Sequence, residues 1–330
     1  MKGFVTAAVP KVSVAMITYN HEKFIAQAIE SVLMQQVDFP IEIIIGEDCS
    51  TDGTRDIVKR YAGSNPEIIR PLLNTSNIGA QRNLSAVLNA CRGEYIACLE
   101  GDDYWTDPRK LQKQVALMDL NPQYAMCGTA ARDVAVSPDG KEREGGLFPG
   151  GNTKRLYNLE DVLVEHPFRA LTFMLRNGLV RLPDWFETVP YGDMCILALY
   201  AEKGPIACLN EVTGAYRMHA GGIWSGCSMS EKCKAIRKTL DILNRHFSGR
   251  YIKTLRDRDF RVSKMICLGG VNKGRNLEAI QAYWGSFCRF APYMPVSYLM
   301  LGFLLIWLPL RTRFAVRTRV RRLLRGCKRH

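Results

Sequence analysis

The sequence predicts an α/β fold, a doubly wound and mostly parallel sheet with helices on both faces. Two observations predict it. Short apolar runs rich in β-branched residues alternate with segments of helical period between residues 12 and 99, and polar, mostly acidic clusters fall just after those runs. Strands joined by helices of this length must pair in parallel, because each crossover helix packs back onto the sheet. In such sheets ligands bind beyond the carboxyl ends of the strands.

Val12 to Thr18 reads as the first strand. Phe24, Ala28, Ile29, Val32 and Leu33 then recur at helical spacing after the turn residues Asn20 and His21. The alternation returns with a strand at 41–45 before a helix at 54–61, and with a strand at 68–73 before a helix at 80–91. Tyr95 to Leu99 makes a fourth strand. Asp107-Pro108 starts a further helix through Leu120, and residues 125–136 look extended. The Gly-rich, charged stretch 137–153 reads as a mobile loop. Helical stretches follow at 229–247, 254–268 and 276–289. The expected organisation is a catalytic domain over 1–228, a helical extension over 229–289, and an apolar segment with a basic tail over 290–330.

A chain of 330 residues with 47% apolar content can bury a large core. Its net charge of +13 includes nine Lys/Arg, and no acid, in the last twenty residues, so only four net positive charges belong to the rest. That concentration argues against a distributed nucleic-acid surface. The eleven cysteines are odd in number and scattered, with no CxxC pair or zinc-like cluster, which fits a reducing compartment. The first ten residues lack the long apolar stretch of a secretory signal.

Chemistry concentrates at the strand ends. Glu100, Asp102 and Asp103 lie within four residues beyond the fourth strand. Such clustering is repulsive unless a cation neutralises it, and hard oxygen ligands suit Mg²⁺ or Mn²⁺. An acidic turn capping the next helix is the alternative. The second strand ends in Gly46-Glu47-Asp48-Cys49-Ser50-Thr51-Asp52-Gly53-Thr54, and the third is followed by Asn74-Thr75-Ser76-Asn77-Ile78-Gly79-Ala80-Gln81-Arg82-Asn83.

With these three motifs in order, the chain resembles glycosyltransferase family 2, inverting enzymes of the GT-A fold, over about residues 10–225. The resemblance implies a nucleotide-sugar donor, a glycan or lipid-linked acceptor and a divalent cation, Mn²⁺ or Mg²⁺. It implies that Asp48 reads the nucleotide base, with Thr18, Tyr19 and Asn20 around the nucleoside. Asn77 and Arg82 fall at a helix start suited to negative charge, and Arg82 either approaches a phosphate or braces the acidic turn. In the family's DxD motif Glu100 takes the first position and Asp102 the second, which makes Asp102 the metal ligand and Glu100 a donor-site residue. Asp103 would orient the loop or an acceptor hydroxyl. Trp105 either lines the sugar pocket or packs in the core.

Downstream, Asp193 precedes the helical run 195–202 and is a natural N-cap. The resemblance also gives it the part of catalytic base. Tyr216-Arg217-Met218-His219-Ala220-Gly221-Gly222-Ile223-Trp224-Ser225 is similar to a late family segment, which implies that His219 helps hold the metal and that Trp224 lies at the pocket. The competing readings are a nucleotide-sugar-binding protein without activity and a nucleotidyltransferase of similar fold.

Residues 295–310 are strongly apolar, but sixteen residues at about 1.5 Å each reach only about 24 Å, short of a bilayer core of about 30 Å. With the basic tail beside it, the segment is expected to lie in the interface on the cytoplasmic face of the cell membrane.

Overall fold

The computed structural model describes residues 9–150, 154–259 and 261–262. The first strand, β1 (Val12–Thr18), pairs in parallel with β2 (Ile41–Glu47) and with β4 (Tyr95–Glu100), and β2 pairs in parallel with β3 (Ile69–Leu73). Helices α1 (Ile25–Leu33), α2 (Thr54–Ser64) and α3 (Ala80–Ala90) supply the crossovers. The expected doubly wound arrangement is therefore present, with strand bounds within two residues of the periodicity.

The reason lies in two-sided burial. All residues of β1 except Ile17 are buried, on both faces of the sheet, as a parallel strand covered by helices requires. Val12, Val14, Met16, Ile43, Ile45 and Leu99 join Ile25, Ala28, Ile29 and Val32 of α1 in the main core. On the opposite face the Asn83 amide of α3 donates to the Gly46 carbonyl at 2.8 Å.

Beyond β4 the sheet becomes mixed. Its order is β3-β2-β1-β4-β9-β6-β10-β5, where β5 is Tyr104–Trp105, β6 Met126–Val136, β9 Met174–Arg176 and β10 Ile206–Met218, and the short β8 (Leu156–Tyr157) pairs antiparallel with β10. Strand β9 is antiparallel to both β4 and β6, whereas β10 runs parallel to β6. Helix α4 (Lys110–Leu120) follows the acidic turn. Helix α5 (Leu159–Val164) packs on α6 (Gly192–Ala201), which packs in turn on α7 (Met229–His246).

One expectation changes. Within the stretch read as a mobile loop, Glu142–Phe148 forms strand β7, antiparallel to β6. Its side chains are mostly exposed, so hydrophobic patterning could not reveal it. Strand β6 offers backbone partners to β7, and Glu142 reaches the buried Arg217 across the sheet at 2.6 Å.

The chain to Leu255 is one compact unit, and Arg256 begins another. Of the helical stretches expected after residue 228, the first is α7. The second is helical at 252–259 and 261–262, and residues 263–268, the stretch near 276–289 and the apolar segment and tail of 290–330 lie outside the described residues. Among the described residues no helix is long and apolar enough to cross a membrane.

Candidate active site

Chain order reverses between β1 and β4: the chain moves outward through β2 and β3, then returns to β4 beside β1. This switch point opens a crevice at the strand carboxyl ends, and most of the candidate polar residues border it.

On the β2 side, these residues hold one another. The Thr18 carbonyl accepts from the Asp48 amide at 3.0 Å, and the Thr18 hydroxyl lies 3.2 Å from His21 Nδ1. Asn20 adopts a left-handed backbone, receives Thr51 N–H on its side chain at 2.8 Å and donates its own N–H to Ser50 Oγ at 2.9 Å. Asp48 is 2% exposed. Its Oδ1 accepts from Asn74 Nδ2 and Ile78 N–H, and Oδ2 accepts from Gly79 N–H, each at 2.9 Å. A carboxylate has about four lone-pair sites, so Asp48 has three engaged in fixing the loop before α3. Gly79 serves there with φ +89, a conformation side chains disfavour. Glu47, fully buried, accepts Ser50 N–H and pairs with Arg55. Tyr19 and Asn77 are exposed at the rim.

At the end of β4 the chemistry differs. A Cβ on Gly101 would lie 2.6 Å from Thr18 Oγ1, so glycine is what allows the acidic turn to approach β1. Glu100 Oε2 is buried and accepts no hydrogen bond among the described residues. Burial, reinforced by the charges of Asp102 and Asp193, pushes the Glu100 carboxyl up to about 8. Asp103 is 1% exposed and accepts Arg217 N–H at 2.8 Å. Burial and the neighbouring Asp102 and Glu100 charges raise its proton affinity strongly. Arg217, 2% exposed, also donates to the Asp102 carbonyl at 2.9 Å and to Gln27, and stacks over Tyr104 at 4.3 Å. It clamps the acidic turn to β10 and α1, a part that the sequence motif alone did not reveal.

Asp102 faces imidazoles. Its Oδ2 lies 2.9 Å from His219 Nε2 and 3.7 Å from His21 Nε2. Burial would raise its carboxyl, but the His21 charge and the His219 hydrogen bond together hold it below the usual carboxylate range. Burial lowers the His21 imidazole in turn, with His219 adding to the effect against the pull of Asp102. His219 is held from behind, its N–H donating to Ser225 Oγ at 3.2 Å and its carbonyl accepting from the same hydroxyl at 2.6 Å. His21, absent from the expected set, lies 198 positions before His219 in the sequence yet shares its carboxylate.

Asp193 lies one residue inside α6 rather than at its cap, a position taken by Tyr191. Its Oδ1 accepts the adjacent Met194 N–H at 2.8 Å, and Oδ2 lies 3.0 Å from His166 Nε2. Tyr191 meets Trp224 edge-on at 5.0 Å, which brings Trp224 to the start of the helix that carries Asp193. Arg82 pairs with Glu187 at 3.2 Å and is largely exposed, so it braces α3 against the Asp184–Thr188 turn rather than the acidic one. Trp105 takes the core alternative: it is 1% exposed and its indole N–H donates to the Leu171 carbonyl at 2.8 Å.

These residues fit a divalent cation as a partial ligand set. An orphaned buried carboxylate oxygen on Glu100 and its repulsion with Asp102 and Asp193 call for positive charge, and Asp102 and His219 converge with oxygen and nitrogen donors. Among the described residues no group of three or more His, Cys, Asp or Glu side chains is arranged to hold a metal by itself. A cation here would complete its shell with water and phosphate oxygens, as Mg²⁺ and Mn²⁺ commonly do.

Fold and crevice define a GT-A-like glycosyltransferase scaffold. The glycosyl transferase family 2 model matches residues 13–179, and the chain belongs to that family. A protein of Bacillus subtilis named for glycosyl transfer in teichuronic acid biosynthesis, TuaG, is 39% identical over 235 residues, covering 70% of this chain and 86% of its own. An uncharacterized protein of Mycobacterium tuberculosis is 38% identical over 217 residues, 64% of this chain. The match spans 60% of that relative's length. Among solved structures, a mannosyltransferase of Pyrobaculum calidifontis in complex with GDP-Man and Mn²⁺ shares the fold. It has a TM-score of 0.56 and 16% identity, with 94% of this chain and 84% of the other covered.

Proposed function

We propose that this protein transfers a sugar from a nucleotide-sugar donor to a glycan or lipid-linked acceptor of the cell surface, with inversion at the anomeric carbon. The observation that carries the reading is the acidic turn at the end of β4, where Glu100 and Asp102 stand two residues apart with one buried Glu100 oxygen unpartnered among the described residues and with the Asp193 charge acting on Glu100. A site of this kind has negative charge in excess and is completed by a cation and the phosphates that accompany it.

Asp102 and His219 would hold Mn²⁺ or Mg²⁺. When bound, such an ion supplies Lewis-acid stabilisation of the departing diphosphate. Glu100, its Oε2 buried at the end of β4, supports the donor side, and the chain leading into α3, from Asn77 to Arg82, borders it. Asp193 takes the proton of the acceptor hydroxyl as that oxygen bonds to the anomeric carbon. The bond from this carbon to the diphosphate oxygen breaks with its electron pair leaving on the nucleotide. A single displacement of this kind inverts configuration. Trp224, against Tyr191, lines the acceptor end.

The membrane part of the reading rests on sequence. The apolar residues 295–310 and the basic tail would hold the protein at the cytoplasmic face of the cell membrane. Truncation after Pro292 is expected to release it from the membrane fraction, and an unchanged membrane-bound distribution contradicts the anchor.

The central experiment is a panel of UDP-, GDP- and TDP-sugars incubated with purified full chain, with and without Mn²⁺, scored by nucleoside diphosphate release. Turnover of one donor that depends on the cation is expected. No release from any donor would overturn the enzyme reading.

A further inference from the structure

We infer that His166 is the positioning residue of Asp193, holding the proposed base in the orientation that receives the acceptor proton. The inference rests on Asp193 being the base.

His166 follows α5 and lies 27 positions before Asp193 in the sequence, outside every motif read from it. The packing of α5 on α6 brings the two together, and Nε2 of His166 reaches 3.0 Å from Asp193 Oδ2. The His166 side chain keeps 21% of its surface, against 37% for Asp193. Its Nε2 is buried and not aligned for a hydrogen bond to any described group, so the contact has the distance of an ion pair without the direction of a completed hydrogen bond. Catalytic contacts commonly tighten only when substrate is bound.

The two oxygens of Asp193 have different neighbours. Oδ1 is turned onto the Met194 N–H at 2.8 Å. Glu100 interacts repulsively with the same carboxylate, as does the Tyr191 phenol if ionised. With Nε2 carrying its proton and the contact aligned by bound acceptor, the imidazole at Oδ2 and the Met194 N–H at Oδ1 together fix the plane of the carboxylate that faces the acceptor hydroxyl. The proton still passes from acceptor to Asp193, and His166 touches neither substrate nor anomeric carbon.

The test uses full-length protein with the donor selected by the panel, Mn²⁺, and nucleoside diphosphate release. His166→Ala is expected to lower kcat by about 10- to 100-fold, the range for loss of an orienting partner, with donor KM changed less than twofold. His166→Gln, whose amide nitrogen reaches the Nε2 position, should recover to within about fivefold of wild type, whereas His166→Asn, whose amide stops at Nδ1, should not. In an Asp193→Asn background His166→Ala should change the residual rate less than twofold, because groups acting as a unit are not additive. Should the Ala variant fail to fold, the Gln and Asn pair decides.

Wild-type kcat in His166→Ala overturns the inference, as does equal loss in Gln and Asn, or a loss that persists undiminished beside Asp193→Asn. Full activity in Asp193→Asn removes the base itself, and with it the need for His166. That result is distinct from an inactive Asp193→Asn beside fully active His166 variants, which removes His166 alone.

Discussion

The two sides of the switch-point crevice use the same residue types to opposite ends. On the β2 side, Asp48 and Glu47 are buried carboxylates whose oxygens are taken by fixed partners, Asn74, Ile78, Gly79, Ser50 and Arg55. On the β4 side, Glu100 is buried with an oxygen that no described group satisfies, and it faces two more carboxylates. A buried polar group without a partner costs about 1–3 kcal/mol, more when charged. A satisfied network shapes its loop, as the contacts of Asp48 do, whereas an unsatisfied one marks where a ligand supplies what the chain does not. Carboxylate counting alone would rank the two sides alike.

Asp193→Asn should break the reactive side most deeply. Transfer is expected to fall by about 10²- to 10⁴-fold, the usual range for a lost general base, with nucleoside diphosphate affinity in Mn²⁺ unchanged within twofold by calorimetry. Next comes Asp102→Ala, which should weaken Mn²⁺-dependent nucleotide binding by about 10- to 100-fold, a range borrowed from losses at orienting partners of metal ligands. Its binding without Mn²⁺ should stay near that of wild type, and titrations with and without the ion measure both.

On the scaffold side, Asp48→Ala should act through stability. Three part-buried donors lose their acceptor, and at about 1 kcal/mol each urea unfolding should show a loss of about 3 kcal/mol. An unchanged urea midpoint would mean that Asp48 is not the brace its contacts describe.

The smallest effect concerns Lys110, fully buried with Nζ on Gln114 Oε1 at 2.6 Å and 4.2 Å from the centre of the Trp105 ring. Burial lowers its ammonium to about 7. Between about pH 7 and 10.5 the unfolded chain holds a proton that the folded chain releases, so this group makes stability rise with pH across that window. Lys110→Met should flatten the rise, improving relative to wild type as pH falls from 9 to 6. An identical pH slope in both proteins would show that Lys110 carries no such burden.

Local pattern made β1 to β4 and their helices legible, because a strand buried on both faces and an amphipathic helix each write their period into neighbouring residues. The acidic turn was legible as three carboxylates within four residues, whereas the roles given to Asp48, Asp102, Asp193 and His219 came from resemblance carried by local strings. Strand β7 was hidden because an exposed strand has no apolar alternation to show, and Trp105 could have gone to pocket or core until Leu171 was seen accepting its N–H.

What the sequence by itself determined is therefore the α/β alternation, the carboxyl-end position of the polar clusters and membership in a family with that order of motifs. Only the tertiary structure decided which partners each carboxylate meets. It brought His21 and His219 to Asp102, Arg217 to the acidic turn and His166 to Asp193. The reason is physical: periodicity records which face of an element is buried, whereas the partner of a buried charge is chosen by packing between elements far apart in the chain.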